Sequence, residues 1–206
     1  MKQRKPQIYL ASQSPRRQEL LRQIGVDFKL LLLRGRIPRG PDVSEIVQQG
    51  ESPAEYVARV TLEKAAFANQ ALALRKLPPK TILAADTTVV FDGKILGKPA
   101  TPIEAAKMIG TLSGQTHQVL TSVAIRQGDA ILQTTQCSEV TFDTLSDQII
   151  QAYCATSEPY DKAGGYAVQG LAAQFIRNIS GSYSGIMGLP LYETTQLLHQ
   201  AGLQLL

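Results

Sequence analysis

The sequence predicts an α/β fold in which helices flank a mixed, twisted sheet. Three observations carry that expectation. Extended apolar runs alternate with segments of helical period, the helical segments open on clear caps, and tight-turn signals join some neighbouring extended runs directly. Helices between strands suit parallel pairing, whereas hairpins force antiparallel pairing, so the sheet should be mixed and not purely parallel. The chain has 206 residues, which suits one domain spanning 1–206 with a substantial core.

The elements follow in order. Residues 7–11 read as a strand and 15–24 as a helix, with Ser14 as N-cap and Pro15 at the first helical position, where its missing N–H costs nothing. Residues 28–33 read as a second strand, followed by a polar loop rich in proline and arginine that runs to Glu51. Ser52-Pro53-Ala54-Glu55 is a capping box that opens a helix to about residue 74, and Leu77-Pro78-Pro79 ends that connection. Thr81–Ala85 and Val89–Phe91 are extended, and Asp92-Gly93 is a tight turn before Lys94–Leu96. Thr101-Pro102-Ile103-Glu104 repeats the capping-box pattern and starts a helix to Leu112, closed by Gly114. Two strand-like runs, 117–126 and 130–142, flank Gly128-Asp129 as a hairpin. Ser146 caps a helix to about 155, a glycine-rich stretch covers 163–190, and a last helix runs from about 190 to 201. There is no internal repeat.

Composition excludes several function classes. Hydrophobic residues at 44% and charged residues at 18% describe an ordinary globular chain, and no apolar run is long enough to span a membrane. Lys2, Arg4 and Lys5 are not followed by an apolar signal core, because Pro6, Gln7 and Ser12 interrupt it. Cys137 and Cys154 have neither metal-ligand spacing nor a disulfide framework, which points to a reducing cytoplasm. The net charge of +4 suits an anionic ligand without requiring nucleic acid.

The stretch Ser12-Gln13-Ser14-Pro15-Arg16-Arg17 carries the strongest chemical signal. Two cations at a helix N-terminus oppose the dipole unless an anion joins them, so strand, small hydroxyl residues, proline and two arginines together describe a phosphate site. Lys64 falls within a helical stripe of Val57, Val60, Phe67 and Ala71, where a lysine either snorkels to the edge or reaches an anion in a cleft. Asp86 interrupts the apolar run Ile82–Val90. It is either the acid of a turn or bulge, bonded to nearby N–H groups, or a metal ligand or general base facing the phosphate site. Lys98, in Gly97-Lys98-Pro99, lies one hairpin beyond Asp86 and would add a third phosphate-facing cation. Around Gln169, in Tyr160–Gly170, glycines would let backbone approach a flat ligand, while the amide offers a donor and an acceptor to a base edge. His117 and His199 have no partner at a recognisable spacing and read as structural.

Taken together, Ser12-x-Ser14-Pro15-Arg16-Arg17, Ala85-Asp86-Thr87, Gly97-Lys98-Pro99, Leu112-Ser113-Gly114, Asp161-Lys162-Ala163-Gly164 and Gly188-Leu189-Pro190 resemble, in this order, the Maf-like nucleoside triphosphate pyrophosphatases. The resemblance spans roughly 7–200. It implies two lobes around a central nucleotide-binding cleft, a divalent cation (Mg or Mn) as cofactor, and hydrolysis between the α- and β-phosphates to a nucleoside monophosphate and pyrophosphate. It implies Asp86 as proton acceptor, Lys64 and Lys98 as phosphate-facing lysines, and Ser12, Ser14, Arg16, Arg17, Thr87 and Gln169 as further substrate-binding residues. The combination Arg16, Thr87 and Gln169 looks like the branch acting on dTTP and UTP; the relative acting on 7-methyl-GTP usually has tryptophan, glutamine and glutamate there.

The chain departs from the family pattern in one place. Members usually carry a short acidic tract after the second strand, from which a glutamate helps hold the metal. Here residues 33–45 are strongly basic and the first acids are Asp42 and Glu45, so the metal ligands stay unassigned, with Glu45 a substitute through a longer loop. A nucleoside triphosphate is the expected partner, a homodimer is left open, and neither membrane nor nucleic acid is expected. Two rivals stand beside this reading. One is a pyrophosphatase for another or modified nucleotide such as 7-methyl-GTP; the other is a non-catalytic regulator of cell division, or a nucleic-acid binder using Arg34–Arg39.

Overall fold

The computed structural model describes residues 7–32 and 43–205. The expectations for Lys2, Arg4 and Lys5, for a second strand reaching Leu33, and for Arg34–Arg39 and Asp42 lie outside the described residues.

Among the described residues, seven strands make one mixed sheet. β1 (Gln7–Leu10) leads through a short turn into α1 (Pro15–Gln23), and β2 (Asp27–Leu30) returns parallel to β1. Next come α2 (Pro53–Leu74), β3 (Ile82–Phe91), β4 (Lys94–Leu96) and α3 (Pro102–Leu112). The hairpin of β5 (Thr116–Gln127) and β6 (Ala130–Phe142) precedes α4 (Asp147–Cys154) and three short 3₁₀ turns. The chain closes with β7 (Ile176–Ser180), α5 (Tyr183–Met187) and α6 (Leu191–Gln200). The spatial order is β2-β1-β3-β5-β6-β7, with β4 beside β3. β1 pairs parallel with β2 and β3 and every other pairing is antiparallel, so the sheet is mixed as the turn signals require.

Two local expectations need correction. The extended runs placed on either side of residue 86 are a single ten-residue strand. Asp86 pairs with Ser122 and Thr87 with Thr121 in unbroken register, so Asp86 belongs to neither a turn nor a bulge. The ladder to β5 keeps the backbone satisfied, and the carboxylate finds its partner on a helix. The second correction concerns Thr101. Its hydroxyl receives the Glu104 N–H at 3.2 Å, but the Glu104 carboxylate turns back to the Ala100 N–H at 2.8 Å, one residue short of a reciprocal box. At Ser52 the box is complete, with Glu55 accepting from the Ser52 N–H at 2.8 Å.

Strand alternation sorts the core. Even-numbered residues of β3 (Ile82, Ala84, Val90) pack under α2, with Tyr56, Val57, Val60, Ala65 and Ala68. Odd-numbered Leu83 and Ala85 face the opposite side and meet Leu20 and Leu21 of α1 and Leu197 and Leu198 of α6. Further along, Val89 joins a separate cluster with Ile109 and Leu112 of α3, Phe142 of β6 and Tyr153 of α4. The two clusters on that side of the sheet are the cores of the two lobes, and β3 and β5 run through both.

One edge of β3 is open between them. Its pairing with β1 ends at Leu83, and its pairing with β4 begins at Val89. The Leu83 carbonyl accepts from the Ala11 N–H at 2.8 Å, so odd-numbered residues of β3 turn their amides to this edge. The N–H and C=O groups of Ala85 and Thr87 therefore face a gap in the sheet.

Candidate active site

A cavity of about 720 Å³ fills that gap and extends between the lobes. Every residue assigned to the site from the sequence lines it: Ser12, Ser14, Arg16 and Arg17 from the turn into α1, Lys64 from α2, Asp86 and Thr87 from β3, Lys98 after β4, and Gln169.

The Asp86 carboxylate sits on the α2 side. The Lys64 ammonium donates to Asp86 Oδ1 at 2.7 Å and to Glu45 Oε1 at 3.0 Å, so one cation joins two carboxylates. Lys64 is mostly buried, its side chain 17% exposed, and lies beside the stripe. The buried line of the helix runs through Val60, Thr61, Ala65 and Ala68, while Phe67 is only half-buried. Of the two roles open to Lys64, the structure shows it reaching anions. Glu45 reaches this position because α2 holds its segment by backbone: the Tyr56 hydroxyl donates to the Glu45 carbonyl at 3.1 Å, and Arg59 donates to the carbonyls of Ser44 and Ile46. Burial, reinforced by the charges of Asp86 and Glu45, pushes the Tyr56 hydroxyl up to about 12, so it remains a donor at neutral pH. The sequence offered no signal for Tyr56 or Arg59 beyond their place on the first turns of a capped helix.

On the other side of β3 the arrangement differs from the expected one. The Ser14 side chain receives the Arg17 N–H at 3.4 Å and caps α1 as predicted. The Arg17 guanidinium, however, is a strut. Nε donates to the Gly188 carbonyl at 2.7 Å, and the two terminal nitrogens donate to Ser12 Oγ and Thr87 Oγ1, each at 3.2 Å. Burial draws its pKa below the ordinary value, with Asp86 opposing, yet a guanidinium stays charged. Thr87 is engaged in turn. The Thr121 hydroxyl lies 2.8 Å from the Gly185 carbonyl and 3.0 Å from Thr87 Oγ1. A carbonyl can only accept, so the single Thr121 proton goes to Gly185, Thr87 donates to Thr121, and Arg17 donates to Thr87. One polarised chain thus joins α1, β3, β5 and α5. Gly188 closes it with φ +117°, a conformation that side chains rarely adopt, and a Cβ there would stand 3.5 Å from Arg17 Nε.

The second lobe supplies the far wall. Lys98 is exposed at the rim, and the Arg16 guanidinium spans the mouth to Asp161 at 4.0 Å. Asp161 also accepts from Lys162, whose ammonium donates to the Glu158 carbonyl at 2.9 Å. Burial raises the Asp161 pKa, but Lys162 and Arg16 outweigh it and leave the carboxyl below its usual value. Gln169 is exposed and faces the cavity from a turn in which the Gly170 N–H meets the Ala167 carbonyl at 3.0 Å. The space that a side chain on the nearby glycines would take is filled by the protein itself. A Cβ on Gly170 would come within 2.2 Å of the Glu158 carboxylate, and one on Gly164 within 2.8 Å of Val89.

His117, expected to be structural, is buried in the second lobe. Its Nε2 lies 2.7 Å from the Tyr166 hydroxyl, its ring meets Phe142 and Tyr166 edge-on, and burial lowers its pKa to about 4. Both cysteines are free, as expected. No helix among the described residues is long and apolar enough to cross a membrane.

The profile of the family described as Maf-like protein matches residues 7–201. The chain belongs to the Maf-like family. Among its Maf-like relatives, a dTTP/UTP pyrophosphatase of Nitrosospira multiformis is 50% identical over 96% of both chains. One of Aromatoleum aromaticum is 51% identical over 98% of both, and one of Nitrosomonas europaea is 51% identical over 95% of both. Among solved structures, the Ham1 protein of Staphylococcus aureus is similar at TM-score 0.43 and 16% identity, covering 66% of this Maf-like chain and 71% of its own, a likeness too loose to inform the site.

Proposed function

We propose that this chain is a nucleoside triphosphate pyrophosphatase acting on dTTP and UTP, releasing the nucleoside monophosphate and pyrophosphate. The observation that carries the reading is the Asp86–Lys64–Glu45 group beside the capped N-terminus of α1 in one cleft. The relatives named above, alike over nearly their full lengths, support the same substrates.

The chemistry follows from these side chains. The triphosphate lies between Arg16 and the N-terminus of α1 on one side and Lys98 on the other, where opposite charge and the helix dipole offset its repulsion. Asp86 takes a proton from water as the water oxygen bonds to phosphorus and the α–β anhydride bond breaks, with the bridging oxygen leaving on pyrophosphate. Lys64 holds the Asp86 carboxylate in place. A magnesium or manganese ion fits the donor set. Hard cations bound to phosphates take one or two carboxylates, and Asp86 and Glu45 already share one positive charge. When bound, the ion neutralises phosphate charge and lowers the pKa of water. Among the described residues no group of three or more His, Cys, Asp or Glu is placed to hold a metal ion.

Specificity belongs to the second-lobe wall. With its amide oriented to offer an acceptor to the ring N–H and a donor to a carbonyl of uracil or thymine, Gln169 does not match the cytosine edge. Thr87 contributes by fixing Arg17 and not as a free hydroxyl. Removing surplus or modified pyrimidine nucleotides in the cytoplasm would be the cellular role. The test is pyrophosphate release from dTTP, UTP, CTP, GTP and 7-methyl-GTP, with and without magnesium or manganese. Metal-dependent release from dTTP and UTP, well ahead of CTP and 7-methyl-GTP, is expected; faster release from 7-methyl-GTP than from UTP would replace the assignment, and oligonucleotide binding without turnover would end it.

A further inference from the structure

We infer that Glu158 is the positioning residue for base selection, holding the turn that presents Gln169; this rests on the function proposed above. The Glu158 carboxylate, outside the cavity wall, accepts from the Leu171 N–H at 2.7 Å and the Ala172 N–H at 3.2 Å. The Tyr153 hydroxyl, from the lobe core, stands 3.0 Å from the same carboxylate and 3.2 Å from the Gly165 carbonyl. The Glu158 main-chain carbonyl receives Lys162 at 2.9 Å. One residue thus ties the entry of the loop, near Lys162, to its exit just after Gln169 and to the core beneath it. Gln169 itself makes no comparable anchoring bond among the described residues, so its direction is inherited from the backbone of residues 167–172. The fit is tight: a Cβ on Gly170 would overlap the carboxylate at 2.2 Å, so only glycine leaves room for it.

The carboxylate lies behind the turn, away from Asp86 and Lys64, so its loss should affect base recognition and spare the chemical step. Glu158→Gln keeps the volume but gives up the charge and puts an amide donor against N–H groups. For UTP, KM should rise about five- to ten-fold with kcat within about two-fold, and the preference for UTP over CTP should fall by a similar factor. Gly170→Ala should reproduce that shift by expelling the carboxylate. Glu158→Ala should shift UTP binding in the same direction, and the double variant Glu158→Ala/Gly170→Ala should be no worse than the worse of its two single variants, because both remove the same contact. Amide hydrogen exchange at Leu171 and Ala172 should speed up at least ten-fold in each variant while the core strands stay protected. That readout needs no substrate and separates failure of this inference from failure of the proposed function. Unchanged exchange and unchanged UTP-to-CTP preference in folded Glu158→Gln would overturn it, as would a loss confined to kcat or fully additive effects in the double variant.

Discussion

A lysine held by two acids is the residue on which the site turns. Lys64 neutralises Asp86 and Glu45 at 2.7 and 3.0 Å, so replacing it by methionine removes a cation from between two carboxylates. The sequence alone suggests that Lys64→Met would preserve or improve packing. With both acids facing that position, the variant should instead lose about 1–3 kcal/mol, measured by denaturant unfolding, along with at least ten-fold in turnover. Asp86→Asn keeps the shape and the Lys64 contact through its carbonyl but cannot take a proton, so turnover should fall about 100-fold or more while the melting temperature holds; near-normal pyrophosphate release would remove Asp86 from the mechanism. Arg17 makes a third case. Lysine keeps its charge but not its fork, so Arg17→Lys gives up two of the three bonds to Gly188, Ser12 and Thr87 and should cost about 1–3 kcal/mol of stability, whereas a simple phosphate ligand would tolerate the change. The pairing of Asp86 and Lys64 was legible because a charge in an apolar run demands a partner. The bonds of Arg17 and Thr87 to the rest of the protein were not, since a sequence shows that a group can donate but not where its donors go.

Elements were legible wherever local chemistry decides them. Caps at Ser14, Ser52 and Ser146 each accept the backbone N–H that their spacing requires, and the helices start where predicted. Ser52→Ala should cost about 1 kcal/mol, because the helix end loses both bonds of the Ser52 hydroxyl, from the Glu55 N–H and to the Glu55 carboxylate, and should lower the melting temperature by about 2–4 °C in calorimetry. Thr101→Ala should cost less, since only the bond from the Glu104 N–H is lost. Legibility failed where long-range pairing overrides local pattern. β3 continues through Asp86-Thr87-Thr88 because β5 supplies an unbroken ladder on its other edge, and nothing within ten residues of Asp86 announces that ladder. The three 3₁₀ turns between α4 and β7 were equally hidden, since their order rests on Glu158 reaching thirteen residues ahead to Leu171.

For the whole molecule, the two cores on one sheet respond differently to acid. His117 is neutral in the folded protein, its pKa lowered to about 4 by burial. Above about pH 6.5 the folded and unfolded states bind the same number of protons at this residue and it contributes no pH dependence. Between about 6.5 and 4 only the unfolded chain takes up the proton, so stability falls as pH falls, by as much as about 3 kcal/mol. His117→Gln should flatten that part of a stability-versus-pH curve; an unchanged slope would mean that the ring titrates freely. The two-lobed architecture and the gathering of all the assigned residues into one cleft could be expected from motif order, but the opening that houses them could not. That opening exists because β1 stops at Leu10 and β4, running antiparallel to β3, stops at Leu96 opposite Val89, leaving the middle of β3 uncovered. Strand length is therefore under functional control here. An insertion adding two paired residues to either short neighbour would make a more regular sheet and seal the cavity shut, so a change that a folding criterion would score as an improvement would silence the enzyme.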